Sequence, residues 1–309
     1  MSIVLLLIGL LILIKWADFF IDGSSGIARK AWLSPFIIGL TIVSLGTSAP
    51  ELFINIQSAL DAHTQLALWN ILGSNISNIL LVCGISAAIR WLQMSKIIHQ
   101  NFSISLIFGI LLGIISLASG WTIGIIGGII LLIASGIYMY YMLRTIRQQE
   151  VLSPDPLKHP HRLLILMIVW WLLVMILGSS MVVDNAVIIA QKIWLSERII
   201  WLTVVAIGTS LPELITALMA VKKWEWEIGV GNIVGSNILN IGIIGWLTAI
   251  LHPITFLRPN YFDLFVFLWA TVLVLVLLFV GRRYKITRLQ WGLFLLLYAV
   301  YIGYVVVMG

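Results

Sequence analysis

Charge is scarce in this chain. Only 10% of its 309 residues are Asp, Glu, Lys or Arg, against about 25% in ordinary soluble domains. So little polar side chain could not cover the surface of a soluble fold of this size. Cysteine is nearly absent too. Cys83 stands alone in an apolar run, so no internal disulfide can form and redox chemistry has no structural part. Long polar stretches are missing except at 148–161, QQEVLSPDPLKHPH, which is too short for a domain. The net charge is +6, but no basic patch carries interleaved aromatics, so nucleic acid is not a partner. No Ser/His pair, paired-Asp protease site or metal-hydrolase constellation falls in the apolar runs, so the chain is not read as an enzyme, and nothing in it calls for a cofactor.

Hydrophobic residues are abundant, at 61%. About 20 consecutive apolar residues span a bilayer as a helix, and the chain is a near-continuous series of such runs. They predict ten spans, at roughly 2–26, 35–60, 66–89, 100–118, 122–143, 163–190, 198–221, 228–250, 261–281 and 289–308. The runs are apolar on all sides, which fits helices and not the alternating strands of a barrel. The first run has no basic residue before it and no small-residue cleavage site after it, so it reads as a membrane helix and not a signal peptide. The Trp residues are mostly interfacial anchors.

Counted over alternate loops, fourteen Lys and Arg fall on one side (Arg29, Lys30, Arg90, Lys96, Arg144, Arg147, Lys158, Arg162, Lys222, Lys223, Arg282, Arg283, Lys285, Arg288). Three fall on the other (Lys192, Arg198, Arg258), and Lys15 lies within the first span. The positive-inside rule places the fourteen in the cytoplasm. The expectation is a multi-pass protein of the cell membrane with both termini outside and the 148–161 linker cytoplasmic.

Shifted by 162 residues, the sequence matches itself without a gap: Asp22 on Asp184, Gly46-Thr47-Ser48 on Gly208-Thr209-Ser210, Pro50-Glu51-Leu52 on Pro212-Glu213-Leu214, and Gly73-Ser74-Asn75-Ile76 on Gly235-Ser236-Asn237-Ile238. Asn70 and Asn78 likewise fall on Asn232 and Asn240. Shared apolar composition produces matched Leu and Ile, but not Glu, Asn and Pro in register. Residues 1–147 and 162–309 are therefore repeats of five spans each. An odd number of spans inverts the second repeat, an architecture in which transporters bind substrate near the midplane.

Glu51 and Glu213 lie deep in apolar spans, where a carboxylate costs roughly 2.5–3.5 kcal/mol on insertion scales. Within the spans only Lys15 could pair with them, and one lysine cannot serve two, so a bound cation is the better partner. Thr47 with Glu51, Ser74 with Asn78, Thr209 with Glu213 and Ser236 with Asn240 are each four apart, which places each pair on one face of a helix. Pro50 and Pro212 lack an N–H and clash with the carbonyls of Gly46 and Gly208, so each helix is expected to open there and free carbonyl oxygens. Such hard oxygen ligands suit Na⁺ and Ca²⁺, the latter taking six to eight. The clusters contain no His or Cys, which argues against zinc or copper. Asn70, Asn75, Asn232, Asn237, Gly73 and Gly235 are read as packing residues. Asp22 and Asp184 are read as interfacial or near-entrance residues.

At GTSAPE (46–51), GTSLPE (208–213), GSNISN (73–78) and GSNILN (235–240), the chain resembles the sodium/calcium exchanger family of the cation/Ca²⁺ antiporter superfamily. The resemblance runs the length of the chain. It implies four cation sites between the second, third, seventh and eighth spans of a rigid eight-helix bundle, with the first and sixth spans sliding across it. It also implies Glu51 and Glu213 as bridging carboxylates and Thr47 and Thr209 as Ca²⁺ ligands. Ser48, Ser210, Ser74 and Ser236 would flank as Na⁺ ligands, Ser44 and Ala206 would give backbone carbonyls, and Asn78 and Asn240 would close the centre. Ser44 replaces the family's usual Ala. Position 240 is Asp in many relatives and Asn here, which leaves two carboxylates and suits K⁺-independent exchange. The implied function is electrogenic Na⁺/Ca²⁺ antiport, with Ca²⁺ and Na⁺ as transported ions and H⁺ as competitor. The alternative is H⁺/Ca²⁺ exchange. Oligomeric state is left open, and nothing demands more than a monomer.

Overall fold

The computed structural model describes residues 2–30, 33–89, 92–93, 95–146, 161–192, 199–279, 285–286 and 288–308. The linker reading at 148–161 falls almost wholly outside the described residues. The chain is nearly all helical. In order the helices are α1 (Ser2–Lys30), α2 (Pro35–Thr47), α3 (Ala49–Leu60), α4 (Thr64–Ile89), α5 (Lys96–Ala118), α6 (Ile125–Ile146) and α7 (His161–Lys192). Then follow α8 (residues 200–209), α9 (Leu211–Lys222), α10 (Trp226–Leu251), α11 (Arg258–Phe279) and α12 (Arg288–Met308). Among the described residues, seven helices are long and apolar enough to cross a membrane, or eight if the bent pair α2–α3 counts as one span.

Several local features recur at the 162-residue shift. π-Helical turns interrupt α2 at Gly39–Val43 and α4 at Ser77–Val82, and others lie at Ile200–Val205 in α8 and Asn240–Ile244 in α10. Such turns often mark functional sites. The α3 and α9 helices end at equivalent residues in the left-handed region, Ala62 (φ 60°) and Trp224 (φ 68°). Each stop is closed by a bond back to the last helical turn, His63 N to Ser58 O (2.7 Å) and Glu225 N to Ala220 O (2.8 Å). Two short antiparallel ribbons tie the halves together. β2 (Thr122–Ile123) pairs with β3 (Ile254–Thr255), and β1 (Leu92–Gln93) pairs with β4 (Lys285–Ile286). The 162-residue shift carries β1 onto β3 and β2 to within one residue of β4.

Burial separates the molecule into a bundle and a pair. The apolar windows of α4 and α10 are 83% and 78% buried, against 22% for α1, so α4 and α10 form the centre. Their apolar residues join those of α2, α5, α6, α11 and α12 in one core. The α1 and α7 helices pack along each other around a second core built on Leu13, Phe20, Trp171 and Met175, which also takes in Ile38 and Val43 of α2, Ala220 of α9 and Ile228 of α10. Apolar side chains such as Leu11, Ile126, Trp170 and Val300 face outward around the perimeter, the arrangement a helical protein takes in lipid.

Contact between α2 and α10 is backbone to backbone. A Cβ on Gly231 would stand 2.3 Å from the carbonyl oxygen of Phe36, and one on Gly39 2.2 Å from that of Ile228. Backbone cannot step aside as a side chain can. Gly231→Val is therefore expected to lower the melting temperature of the lipid-reconstituted protein markedly, by roughly 1–3 kcal/mol of overpacking. Gly292→Ala, with no atom within 4 Å, serves as the control, whose melt stays level or rises slightly because Ala suits a helix better than Gly. Equal melts for the two variants would refute this tight crossing.

Candidate cation site

The site lies where α2–α3 and α8–α9 break. Pro50 and Pro212 cannot donate to Gly46 and Gly208. The α2 helix stops at Thr47 and α3 resumes at Ala49, bent by 44°, with Ser48 at φ −82°, ψ 9°. Ser210 takes the same conformation, φ −78°, ψ 3°, between α8 and α9. The expected opening thus occurs, and the carbonyls around it take the following donors. Ser44 O accepts from Ser48 N (3.0 Å) and Ala206 O from Ser210 N (3.2 Å). Gly208 O accepts from Ser179 Oγ (3.1 Å). The chain turns at the serine and keeps its preceding bonds, losing only those the prolines cannot make. The shared-face argument for Thr47 with Glu51 and Thr209 with Glu213 also changes, because each pair straddles a break. Asn78 and Asn240 lie in π-helical turns, so their four-residue spacing from Ser74 and Ser236 is not purely α-helical either.

The structure nevertheless gathers the predicted residues. Ser44, Thr47, Ser48, Glu51, Ser74, Asn78, Ala206, Thr209, Ser210, Glu213, Ser236 and Asn240 are all buried. Their hydrogen bonds cross between the repeats in equivalent pairs. Thr47 Oγ1 donates to Asn232 Oδ1 (2.8 Å), and Thr209 Oγ1 to Asn70 Oδ1 (3.2 Å). Asn78 Nδ2 donates to Asn237 Oδ1 (3.1 Å), and Asn240 Nδ2 to Asn75 Oδ1 (3.0 Å). These four asparagines, expected to pack helices, orient the site residues of the opposite repeat. A threonine that gives its hydrogen to an amide keeps its oxygen lone pairs for a cation. The orientation of Asn75 is fixed because its Nδ2 donates to the backbone oxygen of Asn237 (3.3 Å). Its Oδ1 must then face Asn240, whose nitrogen is the donor and whose oxygen stays unpartnered.

The carboxylates break the symmetry. Glu213 Oε1 accepts from Ser48 Oγ (3.0 Å) and Ser236 Oγ (3.1 Å). Both oxygens of Glu51 are buried without a hydrogen-bond partner, as are Glu213 Oε2, Asn78 Oδ1, Asn240 Oδ1 and Ser210 Oγ. Buried polar atoms are seldom left unpaired. Six orphaned oxygens at one junction, two of them on a carboxylate with no cationic side chain beside it, form an oxygen-only donor set of the kind Ca²⁺ and Na⁺ take. Among the described residues no three His, Cys, Asp or Glu side chains come together, so the charge of the site rests on Glu51 and Glu213.

A path leads to this junction. A cavity of about 150 Å³ touches Pro50, Thr209, Ser179 and Ser180. It shares Ile54, Val183 and Asp184 with a larger cavity of about 620 Å³ that runs past His63 and Gln191. Asp184 therefore lies on the approach to the site. Its repeat equivalent Asp22 instead pairs with Lys223 at 2.6 Å. The lining residues of α7 carry no motif, and only the Asp22–Asp184 match pointed toward them.

A bundle of apolar helices enclosing paired carboxylates, hydroxyls and amides has the make-up of a membrane transporter. The family model for sodium/calcium exchanger proteins matches residues 1–144 and 163–307, and the chain belongs to that family of membrane antiporters. It is 35% identical to inner membrane protein YrbG of Escherichia coli (strain K12) across 81% of this chain and 79% of that one. It is 25% identical to sodium/calcium exchanger MaX1 of Methanosarcina acetivorans across 99% and 98%. A structure of the sodium-calcium exchanger NCX_Mj soaked with Na⁺ and Ca²⁺ superposes with a TM-score of 0.83 at 30% identity, covering 98% of this chain and 97% of that one.

Proposed function

We propose that this protein is a secondary active antiporter that exchanges Na⁺ for Ca²⁺ by alternating access, electrogenically and without K⁺. The observation that carries the reading is the junction of orphaned oxygens around Glu51 and Glu213, where each repeat orients the other's ligands. Ca²⁺ would take the two carboxylates with Thr47 and Thr209. Na⁺ would take Ser48, Ser210, Ser74 and Ser236, together with second lone pairs of the Ser44 and Ala206 carbonyls. The amide oxygens of Asn78 and Asn240 would face the centre.

The same reading includes ten spans in two inverted five-span repeats, in which α2 with α3 and α8 with α9 each make one broken span. The reciprocal hydrogen bonds and ribbons support a two-fold relation, and the odd span count supports inversion. The 14:3 division of basic residues supports a cell membrane location with external termini and a cytoplasmic 148–161 linker. A second reading, H⁺/Ca²⁺ exchange, draws on the same carboxylates, since a carboxylate pair also takes protons.

Ca²⁺ flux in proteoliposomes under imposed gradients separates them. An inward Na⁺ gradient is expected to drive Ca²⁺ out at least about tenfold faster than leak, saturably, with K⁺ gradients ineffective. Flux that follows a proton gradient and ignores Na⁺ would establish the second reading instead.

A further inference from the structure

The larger cavity, which shares Ile54, Val183 and Asp184 with the one at Thr209, passes His63, and His63 also lines a recess with His252 and Pro253. That end of the molecule is the C-terminal end of α10. The turn at 223–225 lies at the other end of the same 26-residue helix, roughly 39 Å away at 1.5 Å per residue. There α1 is tied down. Lys223 Nζ stands 2.9 Å from Asp18 Oδ1 and 2.6 Å from Asp22 Oδ1, and donates to the backbone oxygen of Asp18 at 2.9 Å. Beside it Ser25 Oγ donates to Glu225 Oε1 at 2.5 Å.

The repeat shows what this tie does. Shifted by 162, Asp22 becomes Asp184, Glu225 becomes His63 and Lys223 becomes Asp61. At the cavity end the lysine is thus replaced by an acid, and Asp61 accepts instead from Gln57 of its own helix (2.7 Å). Asp184 and Asp61 cannot bridge α7 to the α3–α4 turn as Asp22 and Lys223 bridge α1 to the α9–α10 turn. At that unbridged end Asp184 and His63 line an open cavity; at the bridged end the helix is clamped.

We infer that Lys223 is a positioning residue for the exchange cycle: its bridges to Asp18 and Asp22 hold α1 closed at one end, keep the cation site open toward the other, and must part before the site can turn around. The inference rests on the alternating-access reading above. Partial burial works against the charge of Lys223, but hydrogen bonds to Asp22 and Asp18 hold its pKa above the ordinary lysine value. The ammonium is therefore present across the physiological range. The three side chains are 24%, 41% and 62% exposed. Half-exposed pairs are individually weak, so the expected bias is a population ratio of about three- to tenfold and not a lock.

The test uses Ile54→Cys, a position shared by both cavities, since the one natural cysteine, Cys83, is buried. Maleimide labelling in lipid nanodiscs reports how often the cavity is open. Lys223→Gln is expected to slow labelling about three- to tenfold. Exchanging the charges, Lys223→Asp with Asp22→Lys, is expected to restore it. Should Lys223→Gln fail to fold, Asp22→Asn cuts the stronger bridge from the other side. Unchanged labelling in a variant that melts normally overturns the inference, as does slowed labelling that the exchange does not rescue. Flux separates this from the functional reading. Normal Na⁺-driven flux with labelling indifferent to Lys223 removes the latch alone. Absent flux with labelling that still responds removes the antiport reading alone.

Discussion

Glu51→Gln and Glu213→Gln are each expected to cut Ca²⁺ transport by at least about a hundredfold in protein that still inserts and folds. A unit charge pair 4 Å apart is worth about 4 kcal/mol at an effective dielectric of 20, and a divalent ion doubles the attraction. The amide keeps the shape and an oxygen but removes that charge. The two variants should differ in stability. Glu213 Oε1 sits under two serine hydroxyls, whereas both Glu51 oxygens are buried without a hydrogen-bond partner. A buried carboxyl short of close partners is costly, whether it stays ionised or must take up a proton, so ion-free Glu51→Gln should melt at or above the parent while failing to transport. Glu213→Gln should gain less. The checks are Ca²⁺ flux in proteoliposomes and thermal melts in chelator. Flux near the parental level in either folded variant would remove that residue from the site.

Asn240→Asp is expected to change the chemistry more subtly but as visibly. In the parent, Glu51 and Glu213 just neutralise one Ca²⁺, while three or more Na⁺ leave excess positive charge. Exchange should therefore move net charge, with each elementary charge worth about 2.3 kcal/mol per 100 mV. A third carboxylate at position 240 would face Asn75 Oδ1, oxygen to oxygen, where the Asn240 amide now donates at 3.0 Å. Asn75 cannot turn its nitrogen there without losing its bond to Asn237 O. The new acid is relieved most readily by taking a proton, which lets it donate to Asn75. Acidification should thus inhibit Ca²⁺ flux at a higher pH in Asn240→Asp than in the parent, by about one pH unit or more. Flux at clamped potential, with and without K⁺ and across pH 5–8, measures all of this. Strict K⁺ dependence, or parental flux indifferent to potential, would show the charge accounting to be wrong.

Much of this was legible in the residue order. Apolar runs marked the helices because a run apolar on all sides satisfies its backbone in lipid as a helix and not as a barrel strand, and the observed ends of α1 and α7 differ from expectation by four residues or fewer. The prolines at 50 and 212 announced the breaks, since a missing N–H acts locally. Glu51 and Glu213 stood out because a charge in an apolar span is costly wherever the span packs. The twelve predicted ligands share a register across the 162-residue shift, and they are buried together as that register suggested.

Other features depend on which groups lie opposite one another across the fold. Asn70, Asn75, Asn232 and Asn237 looked like helix glue. Only the crossing of α2, α4, α8 and α10 makes them orient the threonines and amides of the opposite repeat. The equal sequences around Glu51 and Glu213 did not show that one carboxylate accepts close bonds from two serines while the other has the Ser74 and Thr209 hydroxyls nearby without such a bond. Nor did composition connect Asp18 and Asp22 with Lys223, some 200 residues on. The sequence alone determined the apolar helices, the proline breaks and the residue types gathered at the junction, because each follows from local backbone chemistry or from the cost of charge in lipid. Tertiary structure decided which hydroxyl faces which amide, which carboxylate is left unpaired and which end is clamped, because those are short-range contacts between helices distant in sequence, set by packing geometry that no local pattern encodes.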